Sequence, residues 1–94
     1  MNEEVMNEAR KLIGKRVKER RQQLKISQKQ LAEACGIGLN TLIRFESGRF
    51  WISFKQFLPL IQALDMYFFL AEKDSPEPWA KVMRERWRNP ADKN

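Results

Sequence analysis

From Glu3 to Leu24 the apolar residues fall at Val5/Met6, Ala9, Leu12/Ile13, Val17 and Leu24, with Arg, Lys and Glu between them. Steps of three and four residues put one stripe on a helix, and Gly14 inside it is tolerated at a modest cost. Ser27 then offers a hydroxyl cap with Gln30 three residues on, the pairing of a capping box. The second helix runs from Gln28 to Cys35 and stops at Gly36, a residue suited to a left-handed terminator. The third starts after Gly38 and ends at Gly48. Ser53 and Gln56 repeat the capping pattern for a fourth helix to about Leu64, with Pro59 near its sixth position predicting a bend or a locally tightened turn. After Asp65 the pattern changes. Met66-Tyr67-Phe68-Phe69-Leu70-Ala71 is rich in aromatic residues and reads as a short strand, with a fifth helix as the alternative. A lone strand cannot satisfy its backbone groups, so this one is expected to pair with the same strand of a second copy in a two-fold dimer. Ser75-Pro76 opens a last helix, Glu77 to Arg88, with Trp79, Val82/Met83 and Trp87 along one stripe, and Asn89-Pro90 ends it. The expected fold is all-α, a compact body of four to five helices with one short strand after the fourth.

Ninety-four residues, 43% of them apolar, suffice for one small core. The expected division is an acidic extension of helix one over 1–12, a helical body over 13–65, and a strand with an amphipathic helix over 66–94. The longest unbroken apolar run, Met66 to Ala71, is far short of the ~20 residues that span a bilayer. Asn2, Glu3 and Glu4 directly after Met1 do not resemble a secretory leader, so a cytoplasmic protein with no membrane contact is expected. A single cysteine excludes an internal disulfide and a CxxC site. The chain has no histidine, the commonest general base and metal ligand. No catalytic residue, metal site or cofactor is therefore expected. The net charge of +6 is concentrated: residues 10–55 carry twelve basic groups against Glu19, Glu33 and Glu46. A compact element at +9 suits phosphates.

Inside that basic segment lies Ser27-Gln28-Lys29-Gln30-Leu31-Ala32-Glu33-Ala34-Cys35-Gly36-Ile37-Gly38-Leu39-Asn40-Thr41-Leu42-Ile43-Arg44-Phe45-Glu46. Two short helices joined by a tight turn cross steeply only where the crossing point is small. Ala32 supplies the small side chain and Gly36 the turn backbone. Leu31, Cys35, Ile37, Leu42 and Phe45 form the shared apolar seam, the pattern of a helix-turn-helix. At about 100° per residue, Leu39, Ile43, Ser47, Asn40 and Arg44 share an outward arc of helix three, while Thr41, Leu42 and Phe45 lie opposite. Asn40 has the bidentate geometry for adenine N6/N7 and Arg44 that for guanine O6/N7; Leu39 or Ile43 suits a thymine methyl.

The run Ser27-Gln28, Leu31-Ala32, Gly36, Thr41, Phe45-Glu46, Gly48 and Ala63-Leu64 resembles the phage-repressor and Cro-type helix-turn-helix family, the Xre type, from Ile13 to about Leu64 without an inserted residue. The resemblance implies a lambda-repressor-like DNA-binding domain. It implies that Leu39, Asn40, Ile43 and Arg44 face the major groove and that Gln28 meets a phosphate at the start of helix two. It also implies a pair between Arg21 of helix one and Glu46 of helix three; Glu46 is the only acid of that helix and would repel phosphate if it faced DNA. Arg49 and Lys55 are placed to reach phosphates, and Ser27, Gln28, Lys29 and Thr41 complete the clamp. Four positions depart from the family pattern: Gly38 at the polar cap of helix three, the apolar Leu39 and Ile43, and Asp65 where a helix-ending glycine is usual. Phe50 and Trp51 read as core cover or dimer contact, and Cys35 as a small core residue.

The expected function is a sequence-specific double-stranded DNA-binding repressor acting as a homodimer on a palindromic operator. The competing reading is an antitoxin that regulates its own promoter and binds a toxin through the Trp79/Met83/Trp87 stripe. An enzyme is disfavoured because no nucleophile, base or metal site is assembled.

Overall fold

The computed structural model describes residues 3–74, 76–78, 81, 84 and 85. Among the described residues four helices are bounded, in order α1 (Glu3–Gln23), α2 (Gln28–Cys35), α3 (Leu39–Glu46) and α4 (Phe54–Ala63). Each start has a local chemical cause. The Ser27 hydroxyl accepts from the Gln30 backbone N–H at 3.0 Å while the Gln30 side-chain Oε1 accepts from the Ser27 N–H at 2.8 Å. Ser53 and Gln56 make the same reciprocal pair at 3.2 and 3.3 Å. Two of the four orphan donors at each helix start are thereby satisfied. Gly36 closes α2 at φ 68°, and the Ile37 N–H reaches back to the Ala32 carbonyl at 3.0 Å. α4 runs through Pro59 without a change of helical type, so the expected tightened turn does not form.

The core is built from Val17 of α1, Leu31 and Ala32 of α2, Ile37 of the turn, Leu42 and Phe45 of α3, Ile52, and Phe57, Leu60, Ile61 and Leu64 in and after α4. Ile13, Ile26, Cys35 and Met66 pack on its edge. Burial pushes the Cys35 thiol up from its ordinary value, as befits a small core residue. Trp51, although 42% exposed, covers the core with its ring centroid 5.8 Å from those of both Phe45 and Phe57.

Gly14 does more than interrupt a helix cheaply. A Cβ there would lie 2.3 Å from the Phe45 carbonyl oxygen and 2.9 Å from that of Glu46, so α1 lies directly on the last turn of α3. Gly48 approaches α1 from the other side, its ideal Cβ 2.8 Å from the Lys11 Cα. Two side-chain-free positions thus set how closely the first helix approaches the third. A second clamp joins the ends of the body: Arg20 Nε donates to the Leu64 carbonyl at 3.0 Å, satisfying an orphan acceptor after α4.

The strand expected over Met66–Ala71 does not form, and among the described residues there is no strand. The segment leaves α4 through Asp65 in the left-handed region (φ 53°) and continues as irregular backbone. Met66 turns onto the core, and Phe68 leans on Phe54 and Phe57 with centroid distances of 5.6 and 5.7 Å. Tyr67, Phe69 and Leu70 point outward, 94%, 65% and 88% exposed. The aromatic-rich composition favours a strand, but a single copy offers no edge for this segment to pair with. The C-terminal helix expected over Glu77–Arg88, with Trp79, Val82, Met83 and Trp87, falls mostly outside the described residues. No described helix is long and apolar enough to cross a membrane.

Candidate nucleic-acid interface

α3 has eight residues and two faces. Leu42, Phe45 and Glu46 are buried. Leu39, Asn40 and Arg44 are exposed, and Ile43 and Thr41 are half-buried. Leu39 and Ile43 stand outside the core and outside the side chains packed on its edge. Among the described residues no hydrogen bond or ion pair claims the side chain of Asn40 or Arg44. The outward face therefore offers an amide and a guanidinium with their hydrogen-bonding capacity unspent, beside a pair of aliphatic groups.

The inward face is anchored by a buried ionic junction. Arg21 donates to the Glu46 carboxylate through Nε at 2.7 Å and through its terminal nitrogen Nη2 at 3.0 Å. Its other terminal nitrogen donates to the Ile26 carbonyl at 2.9 Å. Gln28 Nε2 adds a third donor to Glu46 at 3.0 Å. One carboxylate thus ties α1, α2 and α3 together, and among the described residues no buried side-chain polar atom is left without a partner. Such a junction is costly to break because a lone charge would remain in a dry site. By fixing the end of α3 against α1 and the start of α2, it sets the angle at which the outward face is presented.

This junction also engages a residue expected at a phosphate. The Gln28 carboxamide turns inward to Glu46, where the resemblance implied a phosphate. The main-chain N–H groups of Gln28 and Lys29 remain at the open N-terminus of α2, where a helix has no acceptors of its own. Ser27, Lys29, Arg49 and Lys55 are all exposed. Ser27 Oγ accepts the capping bond from the Gln30 N–H, which leaves its own O–H to donate outward.

Ser47, which the sequence reading placed on the outward arc without a role, orders the end of this surface. Its hydroxyl donates to the Arg44 carbonyl at 2.8 Å and accepts from Arg49 Nε at 3.1 Å. The Arg49 guanidinium is held beside the last turn of α3, where the helix dipole favours a cation. A serine one residue past a helix and two before an arginine carries that arrangement in its spacing. Gly38, at the N-cap of α3, makes no side-chain hydrogen bond.

Comparison with protein families finds that a model described as helix-turn-helix matches residues 17–68, a little over half of the chain. Comparison with curated proteins and with solved structures gives no significant match. The matched stretch begins in α1 and takes in α2, the Gly36 turn, α3 and α4, the elements that assemble the surface just described. The chain belongs to the Xre/lambda-repressor-type helix-turn-helix family and is a DNA-binding transcription regulator.

Proposed function

We propose that this regulator is a sequence-specific repressor that reads the major groove of a palindromic operator as a homodimer. In this reading α3 enters the groove while α2 crosses the sugar–phosphate backbone. Asn40 pairs with adenine N6/N7, Arg44 with guanine O6/N7, and Leu39 and Ile43 lie against the apolar parts of the base edges. Lys29, Arg49, Lys55, Thr41 and the N–H groups at the start of α2 hold the flanking phosphates and fix the register. Ser27 supports that clamp by capping α2. The site needs no cofactor and no catalytic group, because occupancy of the operator is itself the output.

The observation that carries this reading is the pairing of the exposed, unclaimed side chains of Asn40 and Arg44 on one face of a helix whose other face is locked by the Arg21–Glu46 junction. The homodimer is supported by the exposed Tyr67, Phe69 and Leu70 directly after α4, a larger apolar patch than a lone chain gains from showing to water. A second copy packed against this segment would place two recognition helices about 34 Å apart. The antitoxin alternative depends on the Trp79/Met83/Trp87 stripe, which lies outside the described residues.

Selection of duplexes from a random DNA pool tests the proposal. An inverted repeat with half-site centres about 10 base pairs apart is the expected product. A pool that remains featureless after repeated rounds would remove sequence-specific repression.

A further inference from the structure

The outward face of α3 consists of two rows, not one. Leu39 and Ile43, four residues apart, form an apolar row; Asn40 and Arg44, also four apart, form a polar row about 100° further round the helix. Each row advances about 6 Å, close to two base-pair steps. The apolar row lies outside the core. Leu39 is 41% exposed, Ile43 is only half-buried, and neither belongs to the core or to the side chains packed on it. Two aliphatic groups on a surface otherwise rich in cations need a reason to face a polar duplex.

The major-groove edge supplies one. Guanine shows N7 and O6, adenine N7 and N6–H2, and cytosine N4–H2; only thymine adds a methyl group, at C5. An aliphatic side chain pressed against an unmethylated cytosine edge strips water from polar groups without replacing their hydrogen bonds, which is unfavourable. The same side chain against a C5 methyl buries apolar surface on both partners. Resting on the DNA-reading assignment above, we infer that Leu39 and Ile43 make the protein a reader of 5-methylpyrimidines: its half-site carries methyl groups beside the purines recognised by Asn40 and Arg44. The chemistry recognised is the methyl at C5 and not thymine as such, so 5-methylcytosine satisfies the same row. Cytosine methylation then strengthens binding wherever a cytosine stands at such a position.

The test uses the duplex recovered from the random pool, resynthesised with deoxyuridine replacing thymidine one position at a time. Each read methyl that is removed lowers affinity about three- to fourfold, the equivalent of one buried methyl-sized group. At the same positions, a C·G pair carrying 5-methylcytosine binds tighter than unmethylated C·G by about the same factor. A variant combining Leu39→Ser with Ile43→Ser, checked for unchanged helical circular dichroism, binds the thymine and uracil duplexes equally. Equal binding of the two duplexes by the wild-type protein overturns the inference while leaving DNA reading intact. A uracil penalty that persists in the double variant assigns the methyl to another side chain and also overturns it. Recovery of no duplex at all removes the DNA-reading assignment and this inference together.

Discussion

Gly14 shows how one missing carbon can set a helix–helix distance. Helix propensity alone says that alanine there should stabilise α1 by about 1 kcal/mol. The 2.3 Å approach to the Phe45 carbonyl reverses the sign, because backbone cannot yield as a flexible side chain can. Gly14→Ala is expected to destabilise by about 1–3 kcal/mol in chemical denaturation, the usual cost of overpacking. The buried junction behaves differently. Arg21→Ala leaves the Glu46 carboxylate without its two strongest donors and is expected to cost about 3–5 kcal/mol, whereas replacing both partners by Met and Leu recovers most of the loss. On the outward face, Arg44→Ala should leave the melting transition unchanged. It should weaken specific binding by about 1–3 kcal/mol and blur one base position in a repeated selection. The Cys35 thiol, raised by burial, keeps its proton at neutral pH, so iodoacetamide should label the native chain more slowly than the urea-unfolded one.

At the scale of elements, the starts of α2 and α4 were legible because a capping box is local chemistry, written in Ser27/Gln30 and Ser53/Gln56. The turn at Gly36 was legible for the same reason. What could not be read is what depends on distant parts of the chain: the closeness of α1 to α3 at Gly14, the Arg20 clamp on the Leu64 carbonyl, and the inward turn of Gln28. Nothing local distinguishes an exposed arginine from one that reaches a carbonyl 44 residues away. The Met66–Ala71 segment marks the limit from the other side. Its composition favours a strand, but pairing is a property of two segments, and one copy contains only one. Lys25, which closes α1 at φ 57°, gave no signal of its conformation either. A lysine in that region is strained by about 1–2 kcal/mol, so Lys25→Gly is expected to raise the denaturation midpoint; an unchanged or lowered midpoint would argue against that strain. The faces of α3 were legible from its helical period, since Leu42 and Phe45 are buried and Leu39, Asn40 and Arg44 are exposed.

For the whole molecule, the basic segment over residues 10–55 and the fixed presentation of α3 act together. In the proposed reading, charge brings the duplex close regardless of its sequence, and the outward side chains then choose among sequences. Lys55→Ala is expected to weaken binding to all duplexes alike and to reduce the salt slope by about one unit for each bound protomer, which titrations at several ionic strengths would measure. The central claim is that the outward face of α3, framed by the start of α2, is the surface that meets DNA. Amide and side-chain NMR signals recorded during titration with a selected duplex test it most directly. The account predicts that Leu39, Asn40, Ile43 and Arg44, with Gln28 and Lys29, show the largest shifts, while core residues such as Val17 and Leu60 barely move. Shifts centred on Tyr67 to Leu70, with those of α3 unchanged, would contradict it.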